Sequence, residues 1–311
     1  MKQTTDALLL VRPRAFRANE ETIGSNHFQS PESAMAQGSA EQLVEKEFNN
    51  LLNLLTSKGI EIVVGDYDEE INTPDRLFPN NWVSFHEDGT AILYPMLAAN
   101  RRRERRPEIL NQLRKKGFEI RREADLTHLE NEGVFLEGTG SMVLDRVHRV
   151  AYACLSERTH PPAVIEFCKQ FDYEPCLFHA FHSVNNQRLP IYHTNVMMSI
   201  GVSTALICAK SIDDEQERNR VISSLERSRH VIHISEKQVD SFAGNMLEVH
   251  SKTGEQIMVM STRAYLSLDT HQKEGIQRHC SILHTPLDTI EKLGGGSARC
   301  MMAEIFLPRT S

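Results

Sequence analysis

The sequence predicts an α/β fold in which five similar units close into a ring. Three observations lead there. Amphipathic helices alternate with hairpin patterns along the chain, five polar residues recur at the leading edges of apolar strands at nearly one spacing, and the first and last strands each lack a local partner. The recurring residues are Asn81, Glu137, His193, Asn245 and Cys300, separated by 56, 56, 52 and 55 positions. A steady period marks a repeated supersecondary module, and a chain whose first strand completes its last unit leaves no free edge. The competing reading is a two-domain α/β protein with a coincidental spacing.

The elements follow in order. Residues 7–11 form an apolar strand stopped by Arg12-Pro13. Residues 40–59 place Leu43, Phe48, Leu51, Leu52 and Leu55 at helical spacing and end on a glycine, which suits a helix C-terminus. Further helices are expected over 107–116, 161–170, 213–229 and 264–279. Hairpins are expected to pair 82–85 with 90–94 across Glu87-Asp88-Gly89, 141–144 with 150–155, 195–200 with 203–209, and 246–249 with 256–260. The last strand, 300–306, would take residues 7–11 as its partner. Equivalent strand ends then meet at the ring axis, so the five polar residues converge there.

Composition narrows the function. The chain has 311 residues, 40% in the apolar class and 25% charged, as in ordinary globular enzymes. Lys plus Arg number 35 against 42 Asp plus Glu, a formal charge of -7, which supplies no basic field for nucleic acid or an anionic bilayer. The N-terminal apolar run is too short for a signal peptide. The longest stretch without Asp, Glu, Lys or Arg, 189–209, carries His193, Asn195, Ser199 and Thr204, too polar for a membrane span. Six cysteines occur without a C-x-x-C pair, which fits free thiols in a reducing cytoplasm.

Chemistry concentrates at the periodic residues. Cys300 follows Gly294-Gly295-Gly296-Ser297-Ala298-Arg299, where a glycine-rich backbone could approach a ligand and hold a developing anion; otherwise it is a small buried hydrophobe. A cysteine nucleophile needs a base, and His193 heads an apolar strand two periods earlier. Glu137, between apolar residues and glycines, suits a carboxylate that orients an imidazole. Their bland alternatives are a structural histidine and a turn acid. The run Asn100 to Arg106 reads mostly as a solvated face, with one arginine free to bind a carboxylate in two-pronged fashion. No dinucleotide, P-loop, zinc-protease or serine-hydrolase signature is present. The sequence assigns no place in the site to Asp145, Arg146, Asn245 or Arg263.

Phe78-Pro79-Asn80-Asn81, Arg101-Arg102-Arg103-Glu104, Leu136-Glu137-Gly138-Thr139-Gly140, His193-Thr194-Asn195 and the segment 294–300 occur in that order. In this the chain resembles the guanidino-group-modifying superfamily of arginine deiminases, amidinotransferases and dimethylarginine hydrolases over nearly its whole length. The resemblance implies a five-bladed pseudosymmetric α/β propeller of pentein type, one domain over residues 1–311, with Cys300 as nucleophile, His193 as general acid and base, and Glu137 as its orienting carboxylate. Where the deiminases carry two guanidinium-gripping aspartates, this chain has Asn81 and Asn195. A buried guanidinium wants carboxylates, whereas a neutral ureido group suits amides that both donate and accept. The chain is accordingly most similar to citrulline ureidases. That implies hydrolysis of L-citrulline to ornithine, carbon dioxide and ammonia through a cysteine thiocarbamoyl intermediate, with Asn81, Asn195 and Phe78 around the ureido group and Arg101 or Arg102 on the amino-acid carboxylate. An arginine deiminase or dihydrolase with the same chemistry is the second reading, and an inactive binding protein the third. No metal or cofactor is expected, the partner is a small amino acid, and a homo-oligomer is compatible with the sequence.

Overall fold

The computed structural model describes residues 1–29, 37–67, 71–184 and 186–310. One plan recurs five times: an inner strand runs antiparallel to a second strand, and a helical crossover leads to a third strand parallel to the second. The chain enters this plan midway, with β1 (Ala7–Val11), α1 (Gln37–Ser57) and β2 (Glu61–Gly65). The next unit is β3 (Val83–Phe85), β4 (Thr90–Leu93), α2 (Pro107–Lys115) and β5 (Arg122–Asp125). It is followed by α3 (Gly138–Ser141), β6 (Met142–Asp145), β7 (Val150–Cys154), α4 (Pro161–Phe171) and β8 (Glu174–Phe178). A separate hairpin, β9 (Phe181–Val184) with β10 (Gln187–Pro190), precedes α5 (Thr194–Met197), β11 (Met198–Ile200), β12 (Thr204–Ile207), α6 (Glu215–Glu226) and β13 (His230–His233). Last come α7 (Glu236–Val239), β14 (Leu247–His250), β15 (Gln256–Ser261), α8 (Thr262–Ser267), α9 (Thr270–Gln277), β16 (Ser281–Thr285), α10 (Asp288–Gly294) and β17 (Ala303–Glu304).

The chain's two ends supply the fifth sheet: β17 pairs antiparallel with β1, Leu8 opposite Glu304, while β1 runs parallel to β2. Inner strands then meet around an axis. β17 lies beside β3, β3 beside α3 at the head of β6, β6 beside β11, β11 beside β14, and β15 beside the turn that leads into β17. The inner and second strands are buried on both faces, as in β6, β11 and β12, so they read as continuous apolar runs. The crossover helices cover the outside. α1 buries Val44, Phe48, Leu51 and Leu55, a spacing of four, three and four that keeps one stripe inward.

Most elements fall where the sequence places them, and the departures have local causes. Leu43 points outward and Val44 takes the inner position in α1, a shift of one residue in the phase of the stripe. The single helix expected over 264–279 is two, because Leu268 is extended and the Asp269 carboxylate caps α9 by accepting the Gln272 N–H. The strand expected at 300–306 shrinks to β17, with Cys300 in the short 3-10 turn Ala298–Met301 ahead of it. The hairpin β9–β10 and the third strands, such as Arg122-Glu123-Ala124-Asp125 in β5, carry no clean alternation to betray them.

Of the carboxyls buried on the inner strands away from the site, Asp145 and Glu304 are paired with arginines, whereas Glu248 makes no ion pair among the described residues. Glu248 on β14 is 3% exposed, its Oε2 has no partner, and a Cβ added to Gly201 would lie 2.0 Å from that oxygen. Burial pushes its carboxyl up to about 7, against the pull of the Val202 N–H and Arg229. Since this lies above its ordinary 4.5, stability is complete in acid and is lost as pH rises through about 7. Glu248→Gln should therefore gain on the order of 3 kcal/mol over the natural protein at about pH 8 and little at about pH 4. Urea unfolding midpoints at the two pH values measure it, and a pH-independent difference would refute it.

Candidate active site

Each unit delivers a polar residue from the turn ahead of its inner strand. Asn81 ends the 3-10 turn before β3, Glu137 and His193 immediately precede α3 and α5, Asn195 lies in α5, Asn245 precedes β14, and Cys300 precedes β17. All six are at least 97% buried. Around the axis lies a small cavity, of about 10 Å³, lined by Cys300, His193, Asn81, Asp75, Arg101 and Arg158 among others. Larger clefts lie elsewhere, around Lys2, His250 and Phe306 and around His182, Phe242 and Arg263, but neither holds a cysteine.

Glu137 is the anchor of the cavity wall. Its Oε2 accepts a hydrogen bond from His193 Nε2 at 2.8 Å, its Oε1 accepts the Leu97 N–H at 3.2 Å, and Arg158 and Arg101 stand 3.6 and 3.9 Å from Oε2. Burial alone would raise its carboxyl, but Arg158, the His193 hydrogen bond and Arg101 together hold it down at about 2, so it is a carboxylate at neutral pH. Burial pushes His193 down to about 4, with Glu137 opposing and Arg158 and Arg101 adding to the push. The resting imidazole is therefore neutral, with its proton on the Nε2 that faces Glu137 and Nδ1 left as the acceptor.

Arg101 is spent on the protein. It forks onto both oxygens of Glu104 at 2.9 and 3.0 Å, donates to Phe78 O at 3.3 Å, and donates from Nη1 to Asn81 Oδ1 at 2.8 Å. An arginine has only donors, so Asn81 must turn its oxygen toward Arg101, and its Nδ2 remains unpartnered. Asn195 has the opposite arrangement: Nδ2 donates to Cys300 Sγ at 3.5 Å and Oδ1 has no partner. Asn245 also donates to Sγ, at 3.2 Å.

Two charged residues of the cavity escaped the sequence analysis. Asp75 is buried, its Oδ2 accepts from Asn19 Nδ2 at 2.7 Å, and its Oδ1 is unpartnered; burial raises its carboxyl, against Arg101. Nothing in Thr73-Pro74-Asp75 marks it. Arg158 donates from Nε and Nη2 to Ser25 Oγ, at 3.1 and 2.6 Å, and from Nη2 to Thr22 O, while Nη1 makes no hydrogen bond among the described residues. Its signal was the period itself, since it stands 57 residues after Arg101 and likewise follows the second strand of its unit. Arg102 is not brought to the cavity. It is a third exposed and donates to Met96 O and Leu97 O beside Glu130, because its side chain leaves the 3-10 turn on the face opposite to Arg101. Asp145, Arg146 and Arg263 also lie outside, Asp145 paired with Arg229 and Arg146 beside Glu304.

The glycines before Cys300 do different work from the expected anion cradle. Asn26 and Gln29 donate to the carbonyls of Gly294 and Gly295, and a Cβ on Gly295, at φ 62°, would lie 2.5 Å from Asn26 Nδ2. A Cβ on Gly296 would lie 2.9 Å from Phe78 Cζ. The small residues thus admit the segment 19–29 over the cavity and the Phe78 ring into its wall. Among the described residues no group of three or more His, Cys, Asp or Glu is gathered as a metal site.

A family model described as N,N-dimethylarginine dimethylhydrolase, eukaryotic, matches residues 12–307. The chain belongs to that family. It is a hydrolase of the guanidino-modifying superfamily acting on C–N bonds. The dimethylarginine dimethylhydrolase fold is also found in solved structures. An apo structure of ArgZ, an arginine dihydrolase from the ornithine-ammonia cycle in cyanobacteria, is 18% identical with a TM-score of 0.71 over 97% of this chain. The chain spans 41% of that protein's length, but 99% of the substrate-bound N-terminal domain of ArgZ, at 17% identity and a TM-score of 0.71. A dimethylarginine dimethylaminohydrolase variant in adduct with S-methyl-L-thiocitrulline is 14% identical with a TM-score of 0.64, covering 97% of this chain and 100% of that one. No curated protein sequence matches. No helix is long and apolar enough to cross a membrane among the described residues.

Gly140 makes one of the site's tightest fits. A Cβ there would lie 2.3 Å from Asn81 Nδ2 and 2.8 Å from His193 Nδ1, yet its backbone is one that alanine can adopt. Gly140→Ala should leave a cooperative melt but displace the imidazole and lower turnover about 100-fold, the usual cost of an ångström of misplacement. Steady-state rates beside a thermal melt test this; near-natural turnover would show that the approach is not needed.

Proposed function

We propose that the protein hydrolyses the terminal ureido group of L-citrulline, giving ornithine, carbon dioxide and ammonia. One observation carries the reading. Arg101 locks the Asn81 oxygen, so Asn81 offers the cavity an N–H donor, while Asn195 offers an unpartnered oxygen. A ureido group has an acceptor oxygen beside donor nitrogens and complements that pair; a guanidinium has donors alone and would meet the Asn81 N–H with its own.

In this reading Cys300 attacks the ureido carbon as a thiolate, and the thiol proton ends on His193, whose imidazolium Glu137 stabilises. As the tetrahedral centre collapses, a C–N bond breaks and His193 gives its proton to the departing nitrogen. The thiocarbamoyl carbon left on Sγ then takes up a water whose proton passes to His193. The C–S bond breaks, and the carbamate released decomposes to carbon dioxide and the second nitrogen product, so that ammonia and ornithine are each set free once. Arg158 replaces Arg101 and Arg102 as the anchor for the amino-acid carboxylate, its Nη1 standing 3.6 Å from Glu137 Oε2 and making no hydrogen bond among the described residues, and Asp75, whose Oδ1 has no hydrogen-bond partner there, faces the α-ammonium.

A second reading, hydrolysis of arginine, is favoured by the similar structures, whose names say arginine dihydrolase, one of them as a variant covalently bound to a reaction intermediate. The comparisons weigh toward arginine and the locked Asn81 toward citrulline. Purified protein offered L-citrulline, L-arginine, agmatine and dimethylarginine in turn, with ammonia, ornithine and citrulline quantified, separates them. Ornithine from citrulline is the expected outcome, and Cys300→Ser should abolish it. Turnover of arginine with none of citrulline would return the protein to the dihydrolase or deiminase reading.

A further inference from the structure

Four of the five periodic residues have roles in the reading above; the fifth, Asn245, has none. Its surroundings supply one. The Asn245 side chain is 1% exposed and held at both ends: Oδ1 accepts the Arg299 N–H at 3.1 Å, and Nδ2 donates to Asn195 O at 3.0 Å and to Cys300 Sγ at 3.2 Å. The backbone N–H on one side and the backbone carbonyl on the other leave the amide a single orientation, donor toward sulfur. Its own turn is fixed by Asn245 N–H donating to Phe242 O and by Gly244, where a Cβ would lie 2.3 Å from Val196 O. Sulfur therefore receives two amide donors, the nearer from Asn245, whereas no hydrogen bond joins Cys300 to His193 among the described residues.

A thiol is a weak acceptor and gains little from two N–H groups; a thiolate gains a charge-assisted hydrogen bond from each. We propose that Asn245 holds the Cys300 sulfur as an anion, and that its oxygen, on the Arg299 N–H, fixes the turn that carries the sulfur. This deepens the nucleophile assignment and rests on it. A neutral ureido substrate brings no cation to the sulfur, so the protein itself must supply the stabilisation, and these amides are the donors in contact with it.

The test is a titration of Cys300 in the natural protein and in Asn245→Asp. The variant keeps an oxygen for the Arg299 N–H and the side-chain shape, but sets a carboxylate against sulfur. The readouts are the iodoacetamide alkylation rate against pH, with the labelled peptide identified by mass, and the ultraviolet thiolate absorbance relative to Cys300→Ser. The expected result is a cooperative melt together with an upward shift of the alkylation midpoint by about one to two pH units, the size of a hydrogen bond to a charged group. Turnover should fall and recover as pH rises. A purely structural tie predicts a folded Asn245→Asp whose midpoint and pH–rate profile coincide with those of the natural protein, and that result overturns the proposal. Should Asn245→Asp not fold, Asn245→Ala deletes the donor without adding charge, and an unshifted midpoint there is equally fatal. Because alkylation needs no substrate, failure to turn over citrulline leaves the titration standing, whereas labelling confined to another cysteine would remove the nucleophile assignment and this role together.

Discussion

The structure around the cavity depends on one constraint: Glu137 keeps its charge although no water reaches it. A lone carboxylate in such a place would take up a proton, so Arg101 and Arg158 meet it with positive charge and the neutral His193 with a hydrogen bond, each from a separate unit of the ring. Each partner is then fixed in turn. Arg101 needs Glu104 and thereby orients Asn81, Arg158 needs the segment 19–29, and His193 has its proton placed by the carboxylate itself. The side chains around the cavity are thus tied together through a single buried charge.

This has a bearing on substrate choice within the family. Membership settles the superfamily and the class of bond broken, but a fold shared at under a fifth identity leaves the substrate to the local donors and acceptors. The decisive atoms are few, because most polar atoms of the wall are consumed by internal pairs. Among the described residues, those without hydrogen-bond partners include Asn81 Nδ2 and Asp75 Oδ1 in the lining and Asn195 Oδ1 beside Cys300. They are groups whose hydrogen bonds a substrate would complete, one donor and two acceptors beside the Nη1 donor of Arg158.

The repeat made much of this legible in advance. Asn81, Glu137, His193 and Cys300 come together as their spacing requires, and the pairing of β1 with β17 was readable from two strands without local partners. What stayed hidden has physical causes. The third strands are half-exposed and mixed in polarity, so no period of two shows. Arg101 and Arg102 are neighbours in a basic run, and only the turn geometry decides that one faces inward; Arg158 had a signal, one period beyond Arg101, that the motif order did not use. Asp75 had none, since its place is set by Asn19 and Arg101, far away in sequence. The glycines of 294–296 signalled close approach correctly, but what approaches is protein.

The pairing of β1 with β17 also governs when the chain acquires its chemistry. Cys300 rides on the turn leading into β17, and the amides that contact its sulfur come from the units of β11 and β14. The same turn packs on β15 and donates the Arg299 N–H to Asn245, so the sulfur is tied to the unit of β14 on one side and to the β1–β17 sheet on the other. Ring closure joins segments nearly 300 residues apart, a contact of the slowest-forming kind. The sulfur's surroundings therefore draw on segments from both ends of the chain, and closing the ring and completing the site are one event.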